Sequence, residues 1–219
     1  MGFSRRSHKI KNEKGKLMTY SQRNSPISDQ FRTILANIQF LVHKEKERNF
    51  VVTGLEEGIG TSTIVSNLAV SRAYQGEKVL IIDANLKNPS LHEIFKISNG
   101  RGLADILSKK INWQEAVQPT AIEHLDVITS GSSYFNSIEL FSSNQLDYLL
   151  VEAKNHYRTI FIDTPNMMAS SETRILANQS DGVIIVLPEG KTKVEQLKKV
   201  KRVLDIAHAH LVGVILNEI

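Results

Sequence analysis

A chain of 219 residues with 41% apolar and 23% charged side chains can bury one substantial α/β core, and its composition excludes fibrous, low-complexity and disordered classes. The absence of cysteine excludes disulfides and thiolate metal centres, and no apolar run approaches the roughly 20 residues of a membrane-spanning helix. The net charge of +4 is local: Arg5, Arg6, Lys9, Lys11, Lys14 and Lys16 against Glu13 put +5 on residues 1–16 and leave −1 on the remainder.

Residues 1–26 read as a basic, flexible N-terminal arm, and residues 27–219 as one domain. The arm suits an anionic membrane surface or an acidic partner segment, and equally a solvated tail. It lacks the apolar core of a signal peptide, and Arg6 occupies the Ser/Thr position of a myristoylation signal starting at Gly2, so neither signal is assigned. A basic body interleaved with aromatics is missing, so nucleic acid is not an expected partner.

In chain order, Ser28-Asp29 can cap a helix bearing Phe31, Ile34, Leu35, Ile38 and Val42 on one face. A charged turn over residues 44–49 leads to the strand Phe50-Val51-Val52, a Gly-rich turn, and a helix near 62–75 that carries Ile64, Leu68 and Ala69 and stops at Gly76. Residues 78–83 form a buried strand. Residues 89–95 and 102–110 suggest short helices, and 124–130 alternates as a strand. A helix over 144–157 points Leu146, Leu149, Leu150, Ala153 and Tyr157 inward; strands follow at 159–165, 182–187 and 211–217. Between these strands, helices are expected over 170–178 and over 192–207, the latter with Val194, Leu197, Val200, Leu204 and Ala207 inward and its lysines in solvent. Continuous apolar strands alternating with amphipathic helices predict a doubly wound, mostly parallel sheet flanked by helices, of the phosphate-loop NTPase type.

The stretch from Asn49 to Asn67 organises this pattern. A strand, a turn with Gly58 and Gly60, and a helix opened by Thr61-Ser62-Thr63 reproduce the arrangement in which backbone N–H groups and a helix N-terminus receive an anion. The phosphate-loop pattern G-x-x-x-x-G-K-[ST] demands lysine after Gly60, where this chain has Thr61. Ligands of doubly wound sheets sit beyond the carboxyl ends of the strands. Two further strands end there in acid, at Asp83 (with Asn85 beyond it) and at Asp163. A strand-end Asp beside a phosphate loop is suited to Mg²⁺, directly or through water, with Ser62 supplying a hydroxyl ligand.

These residues resemble the cytoplasmic kinase domain of bacterial tyrosine kinases (BY-kinases), which accompany capsule and exopolysaccharide assembly. The resemblance covers nearly everything from Ser28 to Asn217. It rests on FRTILANIQF before the loop, STIVSNLAVSRAYQGEKVLIIDANLKNPSLHEIF after it, and then HLDVITSG, IELFSS, FIDTP, SDGVIIV, EGKT and GVILN in order. It implies ATP and Mg²⁺ as cofactors. Gly58, Ile59, Gly60, Thr61, Ser62 and Thr63 would wrap the phosphates, and Asn217 would lie near the adenine. Ser62, Asp83 and Asp163 would serve the metal, with Asp83 as the catalytic carboxylate assisting the attacking tyrosine. The implied activity is ATP-dependent tyrosine autophosphorylation, stimulated by the cytosolic segment of a membrane polysaccharide co-polymerase. The location implied is cytoplasmic, peripheral to the inner membrane face. Similarity to Par/Min positioning ATPases is more distant, because those need a lysine where this chain has Glu56.

Five departures from the family pattern accompany the resemblance. Thr61 replaces the loop lysine, whose ammonium neutralises the phosphates as the transition state forms. Glu56-Glu57 stand before the glycines, where carboxylates repel phosphate unless they point away. Asn85 replaces a second aspartate. The oligomerisation motif reads Asp29-x-x-Arg32-x-x-Leu35, degenerate at Leu35, which argues against the family's usual ring. The chain carries no C-terminal tyrosine cluster; Tyr20, Tyr74, Tyr134, Tyr148 and Tyr157 are scattered. Lys87 and Lys191 are alternative lysines for the phosphates. Two readings follow: a tyrosine kinase with impaired catalysis, and a non-catalytic pseudokinase that regulates the co-polymerase through protein contacts.

Overall fold

The strands that the apolar runs predict assemble into one sheet in the computed structural model, which describes residues 17–42, 48–132 and 137–218. They are β1 (Arg48–Gly54), β2 (Val79–Asp83), β3 (Val117–Pro119), β4 (Leu125–Ile128), β5 (Thr159–Asp163), β6 (Gly182–Pro188) and β7 (Leu211–Asn217). Their order across the sheet is β3-β4-β2-β5-β1-β6-β7. Every pairing is parallel except β3–β4. From β1 the chain crosses outward to β2 and β4, returns to β5, and then moves out the other way through β6 to β7. That reversal opens a crevice at the carboxyl ends of β1, β5 and β2.

Helices cover both faces, as a parallel sheet requires. On one face lie α2 (Pro26–Leu41), α3 (Thr61–Ala73) and α4 (Leu91–Phe95). Phe31, Leu35 and Ile38 from α2 pack there with Val65, Leu68 and Ala69 from α3 and with Val52, Ile81 and Phe161 from the sheet. The other face is covered by α5 (Leu103–Leu107), α6 (Trp113–Ala116), α7 (Ser137–Phe141), α8 (Asn144–Lys154), α9 (Ser171–Gln179) and α10 (Val194–Ile206). Phe141, Leu149, Leu176 and Leu204 pack there against Val51, Ile162 and Ile185. Leu35 is among the most deeply buried side chains, while Asp29 and Arg32 pair with each other in solvent. The altered oligomerisation motif therefore places an apolar core residue at its last position.

Several expectations need correction. The sequence predicts a flexible arm to residue 26, yet Leu17 onward is docked: α1 (Met18–Ser21) packs on α3. Thr19 is buried, with its N and Oγ1 each 2.9 Å from Asn67 Oδ1. The cap of α2 is Ser25, with Pro26 in the first turn, rather than Ser28-Asp29. Ser28 is instead buried, donating to Gln22 O at 2.6 Å. Val194 and Leu197 of α10 are exposed, where the apolar spacing predicts both inward. Val194 is turned about 100° from the Val200–Leu204 line, and Leu197, though in phase, lies in the opening turns beyond the core. The basic stretch 1–16, most of the charged turn, and Tyr134 lie outside the described residues.

Candidate functional site

The Gly-rich turn joins the end of β1 to the start of α3 at the sheet's crevice. Gly58 and Gly60 have φ of 76° and 85°, the left-handed region that costs a side-chain-bearing residue strain. Gly54 serves a different need: a Cβ there would stand 2.7 Å from Thr61 Oγ1 and 2.9 Å from Ile59 Cδ1. Ile59, 3% exposed, anchors the middle of the turn in the core, while its carbonyl accepts a 2.8 Å bond from Asn217 Nδ2. The N–H groups of a helix's first turn have no partner within the helix and carry its positive dipole end, so Thr61, Ser62 and Thr63 present an anion-binding terminus. Thr61 turns its hydroxyl back toward Gly54 and contributes no charge.

Hydroxyls absent from the motif reading brace the crevice. Thr53 donates to Pro165 O at 2.7 Å and accepts from Met167 N at 3.1 Å; Thr164 donates to Val52 O at 3.0 Å. The ends of β1 and β5 are thereby locked together. A threonine at each strand end was the available signal, but nothing in the spacing distinguishes it from an ordinary strand residue.

Asp83 and Asp163 are register partners on adjacent strands β2 and β5, a separation of about 4.8 Å between strands. Both are buried. Asp83 Oδ1 accepts from Asn85 N at 3.1 Å, and Oδ2 accepts from Ser90 N and Leu91 N at 3.0 Å each. Burial raises Asp83 to about 6 despite these three N–H groups, with His92 also favouring the charged form. Asp163 is raised well above the ordinary carboxylate range, first by burial and then by the Asp83 charge, with Ser62 pulling the other way. Neither Asp163 oxygen holds a well-formed hydrogen bond among the described residues, Ser62 being near enough only to favour the charged form. A buried carboxylate left unsatisfied beside a serine hydroxyl and a phosphate-type loop fits a hard divalent cation. Among the described residues no three His, Cys, Asp or Glu side chains converge.

The loop, the β2–α4 segment and residues 164–166 enclose a cavity of about 480 Å³, a size suited to a small-molecule ligand. Thr61, Ser62, Thr63 and Asn85 line it together. Asp83 is fully buried and does not line it, and Asn217 holds the loop through the Ile59 carbonyl. Glu56 and Glu57 line the cavity and are exposed, and Gln196 Nε2 of α10 donates to Glu56 Oε1 at 3.4 Å.

Residues 48–212 match the model of a family described as AAA domain. Over 190 residues the chain is 40% identical to the tyrosine-protein kinase YwqD of Bacillus subtilis, covering 87% of this chain and 80% of the relative. The chain belongs to the bacterial tyrosine-kinase family. A second BY-kinase relative, the putative tyrosine-protein kinase CapB of Staphylococcus aureus, is 30% identical across 92% of this chain and 89% of its own. Among solved structures the chimerical protein CapA2B2 superposes with a TM-score of 0.87 at 33% identity, covering 93% of this chain and 89% of that one. The kinase domain of Escherichia coli tyrosine kinase ETK gives 0.89 at 25% identity, covering 93% and 80%. The cell-division ATPase MinD of Pyrococcus furiosus, at 0.67 and 21% identity over 78% of this chain and 71% of its own, shares the fold alone. The BY-kinase assignment and the doubly wound phosphate-loop architecture expected from the sequence both stand. A fold of this class binds nucleotide and Mg²⁺ generally.

Proposed function

We propose that this protein binds Mg·ATP in the cavity over residues 58–63 and phosphorylates tyrosine slowly, within the machinery of capsule or exopolysaccharide assembly. The observation that carries the reading is the pairing of an intact loop and an unsatisfied Asp163 with a neutral Thr61 where the ammonium belongs. Gly58, Ile59, Gly60, Thr61, Ser62 and Thr63 wrap the phosphates with backbone N–H groups, and Ser62 with Asp163 holds the cation. Bound Mg²⁺ supplies charge neutralisation between the β- and γ-phosphates. The tyrosyl oxygen attacks the γ-phosphorus and gives up its proton to a γ-phosphoryl oxygen or solvent, the bond to the β,γ-bridging oxygen breaks, and ADP departs. Asp83, raised to about 6, has the proton affinity of a base working near neutral pH. Its oxygens are nevertheless engaged by three N–H groups and its side chain is wholly buried, which favours a role in holding residues 85–90 over direct proton transfer.

The same observations favour a second reading, a pseudokinase that regulates a membrane polysaccharide co-polymerase by contact with its cytosolic segment. In both readings the protein works at the cytoplasmic face of the membrane, with residues 1–16 toward anionic lipid.

Calorimetric Mg·ATP binding and radiolabel transfer to tyrosine, with and without the co-polymerase segment, separate the readings. Native chain is expected to bind and to label slowly, and Thr61→Lys to accelerate labelling by roughly 10²-fold or more. Native labelling as fast as that of Thr61→Lys removes the case for impairment. Absence of Mg·ATP binding leaves the pseudokinase.

A further inference from the structure

The cavity presents phosphate with an electrostatic problem. Glu56, Glu57 and Glu93 line it, buried Asp83 and Asp163 adjoin its lining residues Asn85 and Thr164, and Thr61 is neutral. Phosphoryl groups in such a site need a fixed cation beyond the metal ion. Among the described residues that line the cavity, one carries positive charge: Lys87. Lys191, the other lysine singled out in the sequence, belongs to the turn after β6 and does not line it.

We propose that Lys87 is the phosphate-binding cation of this site, delivered from the β2–α4 segment in place of the lysine missing from the glycine loop. The ligand it would take is the phosphate chain of a nucleoside di- or triphosphate. This rests on the nucleotide-binding reading above and adds to it the source of the charge.

The segment is built to hold that residue in place. Asp83 accepts from Asn85 N on one side of Lys87 and from Ser90 N and Leu91 N on the other. Asn85 Oδ1 accepts from Asn88 N at 3.1 Å, closing a turn around Lys87 itself. The backbone is thus anchored at both ends on a buried carboxylate, while the side chain extends into solvent at the cavity wall. Lys87 makes no ion pair or hydrogen bond with any described residue, although Glu57 and Glu93 line the same cavity. Its ammonium therefore stays available to an incoming anion, on a stem flexible enough to follow the phosphates. The arrangement also gives buried Asp83 a purpose that needs no proton transfer: it sets the position from which the cation reaches in.

Binding of Mg·ATP and of Mg·tripolyphosphate to the full chain, measured by calorimetry, tests the assignment in native, Lys87→Ala, Lys87→Arg and Lys191→Ala proteins. Lys87 is exposed, so its variants should fold, and unchanged thermal midpoints would verify that. Lys87→Ala is expected to weaken both ligands by 10-fold or more, Lys87→Arg to restore most of the affinity, and Lys191→Ala to match native. Adenosine binding, where measurable, should not distinguish Lys87→Ala from native, because the lysine acts on phosphate. Native binding with Lys87→Ala unaffected overturns the assignment and leaves nucleotide binding intact. No native binding of either ligand overturns both.

Discussion

Asn217 at the end of β7 donates its side-chain amide to the carbonyl of Ile59, 2.8 Å away, in the middle of the glycine loop. The resemblance to BY-kinases places this residue near an adenine; the geometry makes it a strut for the loop. The two elements are in tight contact, since a Cβ on Gly60 would stand 2.9 Å from Asn217 Nδ2. Asn217→Ala removes a hydrogen bond worth about 1 kcal/mol. It should weaken Mg·ATP about fivefold and lower the thermal midpoint by about 2–4 °C. Equal affinity in the variant would show that the loop holds its shape without the strut.

The Asp83–Asp163 pair predicts an unusual pH profile. Burial lifts Asp83 from 3.8 to about 6, and burial with the Asp83 charge lifts Asp163 well above its ordinary value. Across that window the folded chain keeps protons that the unfolded chain has released, so stability falls as pH rises from about 4 to 6. The rise at Asp83 alone corresponds to about 3 kcal/mol. In EDTA the thermal midpoint should drop over this range, and Mg²⁺ should restore it at pH 7.5 but not at pH 5, where protons compete for the carboxylates. Asp163→Asn should shrink the slope and abolish the Mg²⁺ response. A slope identical to that of the native protein counts against the pair.

Burial also sorts the tyrosines as acceptors. Tyr157 is buried, its hydroxyl donating to Asp126 Oδ2 at 2.8 Å, and burial with the Asp126 charge raises its pKa. Tyr20 and Tyr148 are about half exposed. Any self-labelling of the described tyrosines should map to Tyr20 or Tyr148 by mass spectrometry. Tyr157→Phe should leave labelling unchanged and cost about 1 kcal/mol by removing the hydrogen bond to half-buried Asp126.

Deleting residues 1–16 should weaken binding to vesicles containing anionic lipid, with the largest loss at low salt, because the six basic side chains there outweigh a single acid. Co-sedimentation at two salt concentrations measures this. Unchanged binding reduces the arm to a solvated tail.

What the sequence determined by itself was the parallel sheet and the existence of the loop. Runs such as residues 79–82 and Gly182–Pro188 are apolar without interruption, which only a strand covered on both faces tolerates. Gly58 and Gly60 announced themselves because positive φ demands glycine. Short or half-buried elements left no such trace: α6 spans four residues, and antiparallel β3 is a partly exposed three-residue edge ending in Pro119. The docking of Leu17 to Ser25 was equally hidden, because it depends on Asn67 from another helix.

At the site, composition offered two lysines without ranking them. The crossover from β2 to α4 brought Lys87 to the cavity and left Lys191 outside it, a choice set by chain topology rather than by local sequence. The same folding made Asp83 and Asp163 neighbours, though 80 residues of chain separate them. Local chemistry specified which residues can face a phosphate; the order of strands across the sheet decided which of them do.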